Sequence, residues 1–501
     1  MPTSIRQAIT RIINMGIQLS PDAIKLLSSR NDLDEIMAKL IMELDKLREK
    51  PMILTSKIIL ELTREAKTEE TDVRNISPQI KVIFDSSETI SLEDIAKDFV
   101  SYFVSRYRKL RRILIAERLD TRGAVNVEYV KKSYLTGRIN EKIKVIVMIN
   151  SKRKTENSII FEAEDLTGDI KILVSNKNPD LYGRAIRILR NEVVCVEGRM
   201  ISKNIIFADD IIQPEVPRMR LPQKTESPIL AVLISDLHIG SKHFMRSAFN
   251  KFILWINGLI GNDELKRMAA RVKYLIIAGD LVEGIGVYPG QEEELLVRDL
   301  KRQYKIATEY LAQIPRHVRI IIIPGNHDAS RQALPTPKMY MEYAEPLYKL
   351  ENVMVLGDPA YVNIHGTLFL ITHGKSLDDI LANTPGVRYD KPEKVMIELL
   401  KRRHLAPIYG GRTQISPERE DFLVMEKVPQ IFHAGHLHTF GYEYYNGVLV
   451  VNTGTWQEQT EYMKSMGIHP NPAKAALVDL NNRRVHAILN FKMQEKMPEE
   501  F

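Results

Sequence analysis

Cysteine is almost absent from this chain of 501 residues: the single one, Cys195, sits in the apolar stretch Val193 to Val196. One thiol excludes an intramolecular disulfide framework and a cysteine-built zinc ribbon, and its neighbours assign it to a core as a small hydrophobe. Long apolar runs are missing too. No stretch approaches the roughly 20 residues needed to cross a bilayer. The N-terminus lacks the basic, apolar and small-residue succession of a secretory signal. No membrane partner is expected, and a reducing cytoplasm is the expected location. Nor does one charge dominate. A net charge of +7 and a pI near 9.0, spread over this length, are a mild bias compatible with a polyanionic partner. What remains is ordinary globular material, 44% hydrophobic and 27% charged, too long for one hydrophobic core and suited to two to four domains.

Residues 1–64 read as a small helical interaction module. Ser20-Pro21 supplies a cap and first turn, and Leu33, Ile36, Leu40, Ile41, Leu44 and Leu47 form one apolar stripe at helical spacing. Residues 65–78 are polar, lack periodicity and end near Pro78, the mark of a linker. Over 79–125 a helical, basic connecting segment is expected, opened by the capping box Ser91 to Asp94 and running through Phe99, Phe103, Tyr107 and Leu110. Its far end, Arg106 to Arg112, interleaves basic residues with Tyr107. That pattern suits either a phosphate backbone or a solvated face at a helix C-terminus. Residues 126–217 change to short alternating strands, five in number with a helix between the third and fourth, which suits an OB-fold barrel. Such barrels serve as single-strand binders or as packing surfaces, and no residue here decides between the two. From 218 to 501, buried apolar strands alternate with helical segments in an α/β layer pattern. The fold class is therefore multidomain α+β.

Chemistry concentrates in this last segment. Asp236-Leu237-His238, Gly279-Asp280, Gly325-Asn326-His327-Asp328, Thr372-His373-Gly374 and Gly435-His436-Leu437-His438 each follow an apolar strand run. In α/β sheets the site lies beyond the carboxyl ends of the strands, so these motifs can converge. Their aspartate, asparagine and imidazole groups suit Mn²⁺, Fe²⁺ or Zn²⁺. Two such ions about 3.5–4 Å apart activate water and clamp both oxygens of an in-line phosphoryl displacement. Asp236, His238, Asp280, Asn326, His373, His436 and His438 are the candidate metal ligands, with the two oxygens of Asp280 suited to bridging. His327 is the candidate catalytic acid or charge stabiliser, with Asp328 to orient it. His404 and Arg412 bound a glycine-rich loop that can cover the site, which makes both candidate substrate contacts. His243, His317, His365, His433, His469 and His486 lack such context and are assigned structural roles. Taken singly, a Gly-Asp is usually a turn and an Asn-His-Asp a helix cap. The conjunction of five pieces in order is what carries the reading.

The order of the motifs resembles the calcineurin-like metallophosphoesterases. Longer blocks, Ser235 to Phe244, Gly279 to Glu292, Pro324 to Ala333, Thr372 to Asp379, Arg403 to Thr413, Gly435 to Thr439 and Asn452 to Gln457, resemble the small subunit of the archaeal family D replicative DNA polymerase. That resemblance implies a C-terminal phosphodiesterase domain acting as a proofreading 3′-to-5′ exonuclease on single-stranded or mispaired DNA, beside a separate large polymerase subunit. It implies one metal held by Asp236, His238, Asp280 and His438 and another by Asp280, Asn326, His373 and His436, with Mn²⁺ activating and His327 catalytic. Related repair nucleases carry a histidine where this chain has Glu283. Two alternatives stay open: a non-catalytic scaffold, as in eukaryotic polymerase small subunits that have lost ligands, and a stand-alone phosphatase or repair nuclease on the same fold.

Overall fold

Uninterrupted apolar runs set the framework, because a strand buried on both faces has no polar side to alternate with. In the computed structural model, which describes residues 73–88, 95–136, 141–219 and 229–492 together with 17–28, 53–56 and single positions before 73, the chain divides into two units, Met1–Asp72 and Val73–Phe501.

In the first unit, β1 (Gln18–Leu19) and β2 (Ile53–Leu54) pair in parallel. A helix over Pro21–Ser28 starts where Ser20 Oγ donates to the Leu54 carbonyl at 3.0 Å. Ile12, Ile17, Leu27, Leu40, Leu44 and Leu54 share a small core. Of the expected stripe, Leu40 and Leu44 are buried, and Leu33, Ile36, Ile41 and Leu47 lie outside the described residues. So do 65–72 of the expected linker and the capping box at 91–94.

The second unit begins differently from the expected linker and helical connector. Val73–Asn75 forms a 3-10 turn whose Val73 is fully buried, with Lys273 Nζ donating to its carbonyl at 2.9 Å. β3 (Ile80–Asp85) is a strand, pairing antiparallel with Ala360–Ile364. The β-branched and aromatic content of Ile80 to Phe84 suits an edge position, and the partner lies so far along the chain that local pattern cannot name it. The helix then runs over Ile95–Glu117. Its basic end is not uniformly a nucleic-acid face. Arg106 is fully buried, donating Nε to Asp421 Oδ2 at 2.6 Å, Nη1 to the Pro407 carbonyl at 2.6 Å and Nη2 to Tyr102 Oη at 2.7 Å. This one guanidinium ties the connector helix to the Asp421 loop.

Five strands, β4 (Ile143–Lys154), β5 (Ser158–Asp165), β6 (Gly168–Ser175), β7 (Val193–Ser202) and β8 (Ile205–Ile212), close into a barrel in the order β4-β5-β6-β8-β7. The helix Pro179–Ile186 falls between β6 and β7. Period-two alternation turns Ile159, Phe161 and Ala163 of β5 inward and leaves Glu162 exposed. Cys195 is buried on β7, where desolvation pushes its thiol up to about 12, so it is inert as a nucleophile.

The remaining strands are β9 (Leu230–Ile234), β10 (Val272–Ala278), β11 (Arg319–Ile323), β12 (Val353–Val355), β13 (Ala360–Ile364), β14 (Thr367–Ile371), β15 (Ile431–Ala434), β16 (Phe440–Tyr445), β17 (Val448–Thr453), β18 (Lys474–Asp479) and β19 (Arg484–Asn490). They form two sheets, β12-β11-β10-β9-β18-β19 and β16-β17-β15-β14-β13-β3. Leu233, Ile276 and Ile321 of one share a core with Phe369, Ile431 and Val451 of the other. Each fully buried side chain of this kind contributes about 1.5–3 kcal/mol. The outer face of the first sheet packs on the helices Arg246–Ile256 and Leu300–Leu311; that of the second packs on Leu377–Asn383 and Pro392–Arg402. β9, β10 and β11 run parallel in one sheet, and β14 and β15 in the other, so their carboxyl ends can meet at one edge of the sandwich. Among the described residues no helix is long and apolar enough to cross a membrane.

Arg106→Ala should lower the stability of this unit in chemical denaturation by about 3–5 kcal/mol, because Asp421 would be left charged and buried. The exposed neighbour Arg108, changed to Ala, should cost less than about 0.5 kcal/mol.

Candidate metal centre

Every ligand motif sits immediately past a strand end, and five of its residues take left-handed backbone conformations that side chains ordinarily avoid: Asp236 (φ 53°), His238 (φ 53°), Asp280 (φ 50°), His436 (φ 72°) and His438 (φ 56°). Such conformations cost about 1–3 kcal/mol each and persist where the surroundings over-determine them. Here neighbouring turns hold each other. Asp236 N–H donates to the Gly279 carbonyl at 3.0 Å and His238 N–H to the Asp280 carbonyl at 3.1 Å. Two glycines are obligatory on steric grounds. A Cβ on Gly325 would stand 2.0 Å from Asp280 Oδ1, and one on Gly435 would stand 2.2 Å from Asp236 Oδ2.

The side chains converge in two overlapping groups. Ligand atoms of Asp236, His238, Asp280 and His438 lie within 4.8 Å of one another. His238 Nε2 is 3.0 Å from His438 Nε2 and 3.7 Å from Asp280 Oδ2; His438 Nε2 is 3.3 Å from Asp236 Oδ1. On the other side of Asp280, His373 Nε2 stands 3.2 Å from its Oδ2. His373 Nε2 and His436 Nδ1 also approach Asn326 Oδ1 at 3.0 and 3.1 Å. The outward nitrogens have their own partners. His373 Nδ1 donates to the Ala278 carbonyl at 2.9 Å, His238 Nδ1 meets Glu283 Oε2 at 2.9 Å, and His436 Nε2 meets Asp378 Oδ2 at 3.0 Å. The inward nitrogens of His238, His373 and His436 thus face carboxylate and amide oxygens across gaps that a proton or a cation can fill. A buried, inward-facing set of imidazole, carboxylate and amide groups fits cations, which compete with protons for the same positions.

Electrostatics agree. Burial works to lower the His238 and His373 pKa values, yet the surrounding carboxylates overcome it and raise them to about 9 and about 10. Burial works to raise the Asp236 and Asp280 carboxyls, yet facing imidazoles hold both below the usual carboxylate range. His438 goes down, from burial foremost, since two facing imidazoles cannot both carry protons. The excess negative potential falls to protons when cations are absent.

All seven expected ligands are thus brought together. His327 borders the same cavity of about 520 Å³; its Nδ1 donates to the Glu283 carbonyl at 2.7 Å, leaving Nε2 4.0 Å from Asp280 Oδ2. Asp328 does not orient His327, contrary to expectation. Its buried carboxylate accepts from Gly325 N–H at 2.8 Å, Leu281 N–H at 3.2 Å and Tyr304 Oη at 3.3 Å, so it fastens two ligand loops together. Arg412 is exposed and lines the cavity. His404 does not reach it: it is buried, its Nε2 2.8 Å from Asp421 Oδ2. Burial and then Arg106 push its pKa down to about 4, so it offers no charge to a phosphate near neutral pH. The glycine-rich loop is too coarse a signal to separate its two ends. Conversely, Asp378 and Glu283 emerge as the groups that orient ligands. In the sequence Asp378 is visible only as an acidic residue opening the helix Leu377–Asn383, and Glu283 only as a departure from a related pattern. Of the histidines assigned structural roles, His433 is buried with Nε2 3.1 Å from Thr453 Oγ1, and His365 Nε2 is 2.8 Å from Tyr274 Oη.

Comparison with known proteins places these features in a context. Residues 231–442 match the family described as the B subunits of DNA polymerases alpha and epsilon. The chain is 41% identical over 427 residues to the DNA polymerase II small subunit of Pyrococcus furiosus, covering 84% of this chain and 68% of that protein. It is 37% identical over 495 residues to the DNA polymerase II small subunit of Methanothermobacter thermautotrophicus, covering 97% of this chain and 100% of that protein. The chain spans about two thirds of the length of the Pyrococcus relatives it matches. Among solved structures, an archaeal phosphodiesterase overlaps 52% of this chain and 100% of its own at 16% identity with a TM-score of 0.28, too slight a likeness to argue from.

Because His238 and His373 hold protons up to about 9 and about 10 in the metal-free protein, a cation has to displace them. Mn²⁺ binding at pH 7 should therefore release protons, and affinity should climb as pH rises from 7 toward 9. Calorimetric titration in two buffers of different ionisation enthalpy reads this directly; a binding enthalpy independent of buffer would contradict it.

Proposed function

Since the chain belongs to the family of archaeal DNA polymerase II small subunits, we propose that it is a working phosphodiesterase. In this reading it removes nucleotides from single-stranded or mispaired DNA in the 3′-to-5′ direction and assembles with a large polymerase subunit. The observation that carries the reading is the complete inward-facing ligand set, drawn from five strand ends and buried around Asp280. Asp236, His238 and His438 would hold one divalent cation, Asn326, His373 and His436 another, and Asp280 both. Mn²⁺ is the cation favoured here. Such ions, when bound, supply Lewis acidity and an activated water.

The chain's own groups do the rest. Glu283 and Asp378 fix the outward nitrogens of His238 and His436, which holds the inward nitrogens in register and raises their basicity. His327, held at Nδ1 by the Glu283 carbonyl, turns Nε2 into the cavity, where it can give a proton to a departing 3′ oxygen or stabilise charge on the phosphoryl group. Glu283 itself is engaged with His238 and unavailable as a proton donor. Burial raises its pKa, but His238 dominates and brings it down to about 2. Arg412, exposed at the rim, supplies a fixed positive charge for the phosphate backbone. The architectural alternative draws no support from a site in which every ligand position carries a ligating side chain. The five-stranded barrel, read as an OB fold, would then lie beside a nuclease domain of the calcineurin-like kind.

Digestion of a labelled primer with matched and mismatched 3′ ends in Mn²⁺ tests this. Wild-type protein should shorten the primer from its 3′ end. Asp280→Ala should abolish that without unfolding the protein, and equal rates for the two would overturn the reading. Asp378→Asn and Glu283→Gln should each weaken Mn²⁺ binding by about 10–100-fold. Coexpression with the large subunit should give one complex in gel filtration, and elution of the free chain alone would count against the assembly.

A further inference from the structure

One wall of the cavity carries side chains that neither the ligand set nor the proposed chemistry uses. Tyr288 and Tyr462 stack there, ring centroids 5.2 Å apart and planes 29° apart, and the Tyr288 ring lies 6.1 Å from the His327 ring. Tyr462 remains 47% exposed, and Met466 beside it 55% exposed. Large apolar groups left open to water at a cavity mouth are what a ligand with a flat apolar face would cover.

The pair is held in place. Glu294 is buried; its Oε2 accepts from Tyr288 Oη at 2.6 Å and its Oε1 from Glu461 N–H at 2.9 Å. One carboxylate thus joins the loop bearing Tyr288 to the short helix Glu461–Ser465 that bears Tyr462. Thr460 adds a cap, accepting from Met463 N–H at 3.2 Å. Tyr288 Oη also lies 3.2 Å from Glu283 Oε1, the carboxylate that meets His238. The stack is therefore anchored to the metal centre's own support and stays put when solvent is displaced.

We propose that Tyr462, backed by Tyr288, is a stacking platform for the nucleobase of the terminal nucleotide, so that the site takes unpaired ends of any sequence. This rests on the phosphodiesterase reading and adds to it a source of selectivity. Every base has a π-face, so a stack recognises bases without distinguishing them. A paired terminal base has to leave its own stack first, and a mismatched one does so at lower cost. A cavity of about 520 Å³ is of a size to take one nucleotide. The Tyr288 hydroxyl is already committed to Glu294 and so takes no part in hydrogen-bonded readout of the base.

The test compares two labelled single strands, identical except that one ends in a normal 3′ nucleotide and the other in a tetrahydrofuran residue lacking the base. Wild-type protein in Mn²⁺ should cut the base-bearing end with a kcat/KM higher by roughly 5–150-fold, the equivalent of about 1–3 kcal/mol per stacked base. Tyr462→Ala should bring that ratio close to 1, and Tyr462→Phe should retain it. A wild-type protein indifferent to the base, or a Tyr462→Ala variant that keeps the full preference, overturns the platform and leaves the nuclease reading standing. Failure of every variant and wild type to cut either strand overturns both together.

Discussion

Lone pairs facing one another in a buried space repel, and the C-terminal sandwich is organised around holding such a set together. Asp236, His238, Asp280 and His438 crowd within 4.8 Å, with Asn326, His373 and His436 on the far side of Asp280. Nothing within the cluster relieves the repulsion except protons or cations. The candidate ligands are therefore fixed in advance, through left-handed turns, backbone ties between motifs and outward hydrogen bonds and ion pairs on the imidazoles. Preorganisation of this kind trades stability for readiness: each strained turn is a local cost, offset by the apolar core between the two sheets.

The layout of the sandwich follows from that demand. Parallel strands place their carboxyl ends side by side, so a motif after each of β9, β10 and β11 reaches the same edge from one sheet, and motifs after β14 and β15 reach it from the other. Close approach of the turns is what forbids side chains at Gly325 and Gly435, whose Cβ atoms would strike Asp280 and Asp236. Asp328 completes the arrangement by bridging the Asn326 loop to the backbone after Asp280, a structural duty that its place next to His327 disguised.

How much of this was legible in the chain depends on the range of the interaction involved. Strand-end motifs are local: an apolar run followed by a polar chelating residue announces both the strand and its terminus, and all seven residues that converge around Asp280 could be named that way. The barrel's alternation is local too. Signals that depend on distant partners were not readable. Ile80 to Asp85 looks like part of a connector until Ala360 to Ile364 is placed beside it. Arg106 looks like one of several solvated cations until Asp421, 315 positions later, is found against it. His404 shares that same aspartate, so one buried carboxylate reassigned two residues at once. Burial of a charge is decided by the partner's position, which composition and periodicity do not encode.

Glu283 shows how a departure from a related pattern can be read chemically. A histidine at that position would offer a second proton donor at the cavity. A glutamate, buried beneath His238 and receiving Gln457 Nε2 at 3.0 Å and Gln291 Nε2 at 3.1 Å, instead acts as a fixed anion that orders its surroundings. Its side chain orients one imidazole, and its backbone carbonyl orients another, His327. One residue thereby fixes which ring nitrogen of each imidazole faces outward. His327 turns Nε2 inward, 4.0 Å from Asp280 Oδ2, and stands outside the group of Asp236, His238, Asp280 and His438. In the proposed phosphodiesterase, position 283 would separate the imidazole that holds a cation from the one that moves a proton, and Tyr288, touching that same carboxylate, extends the ordering to the aromatic wall.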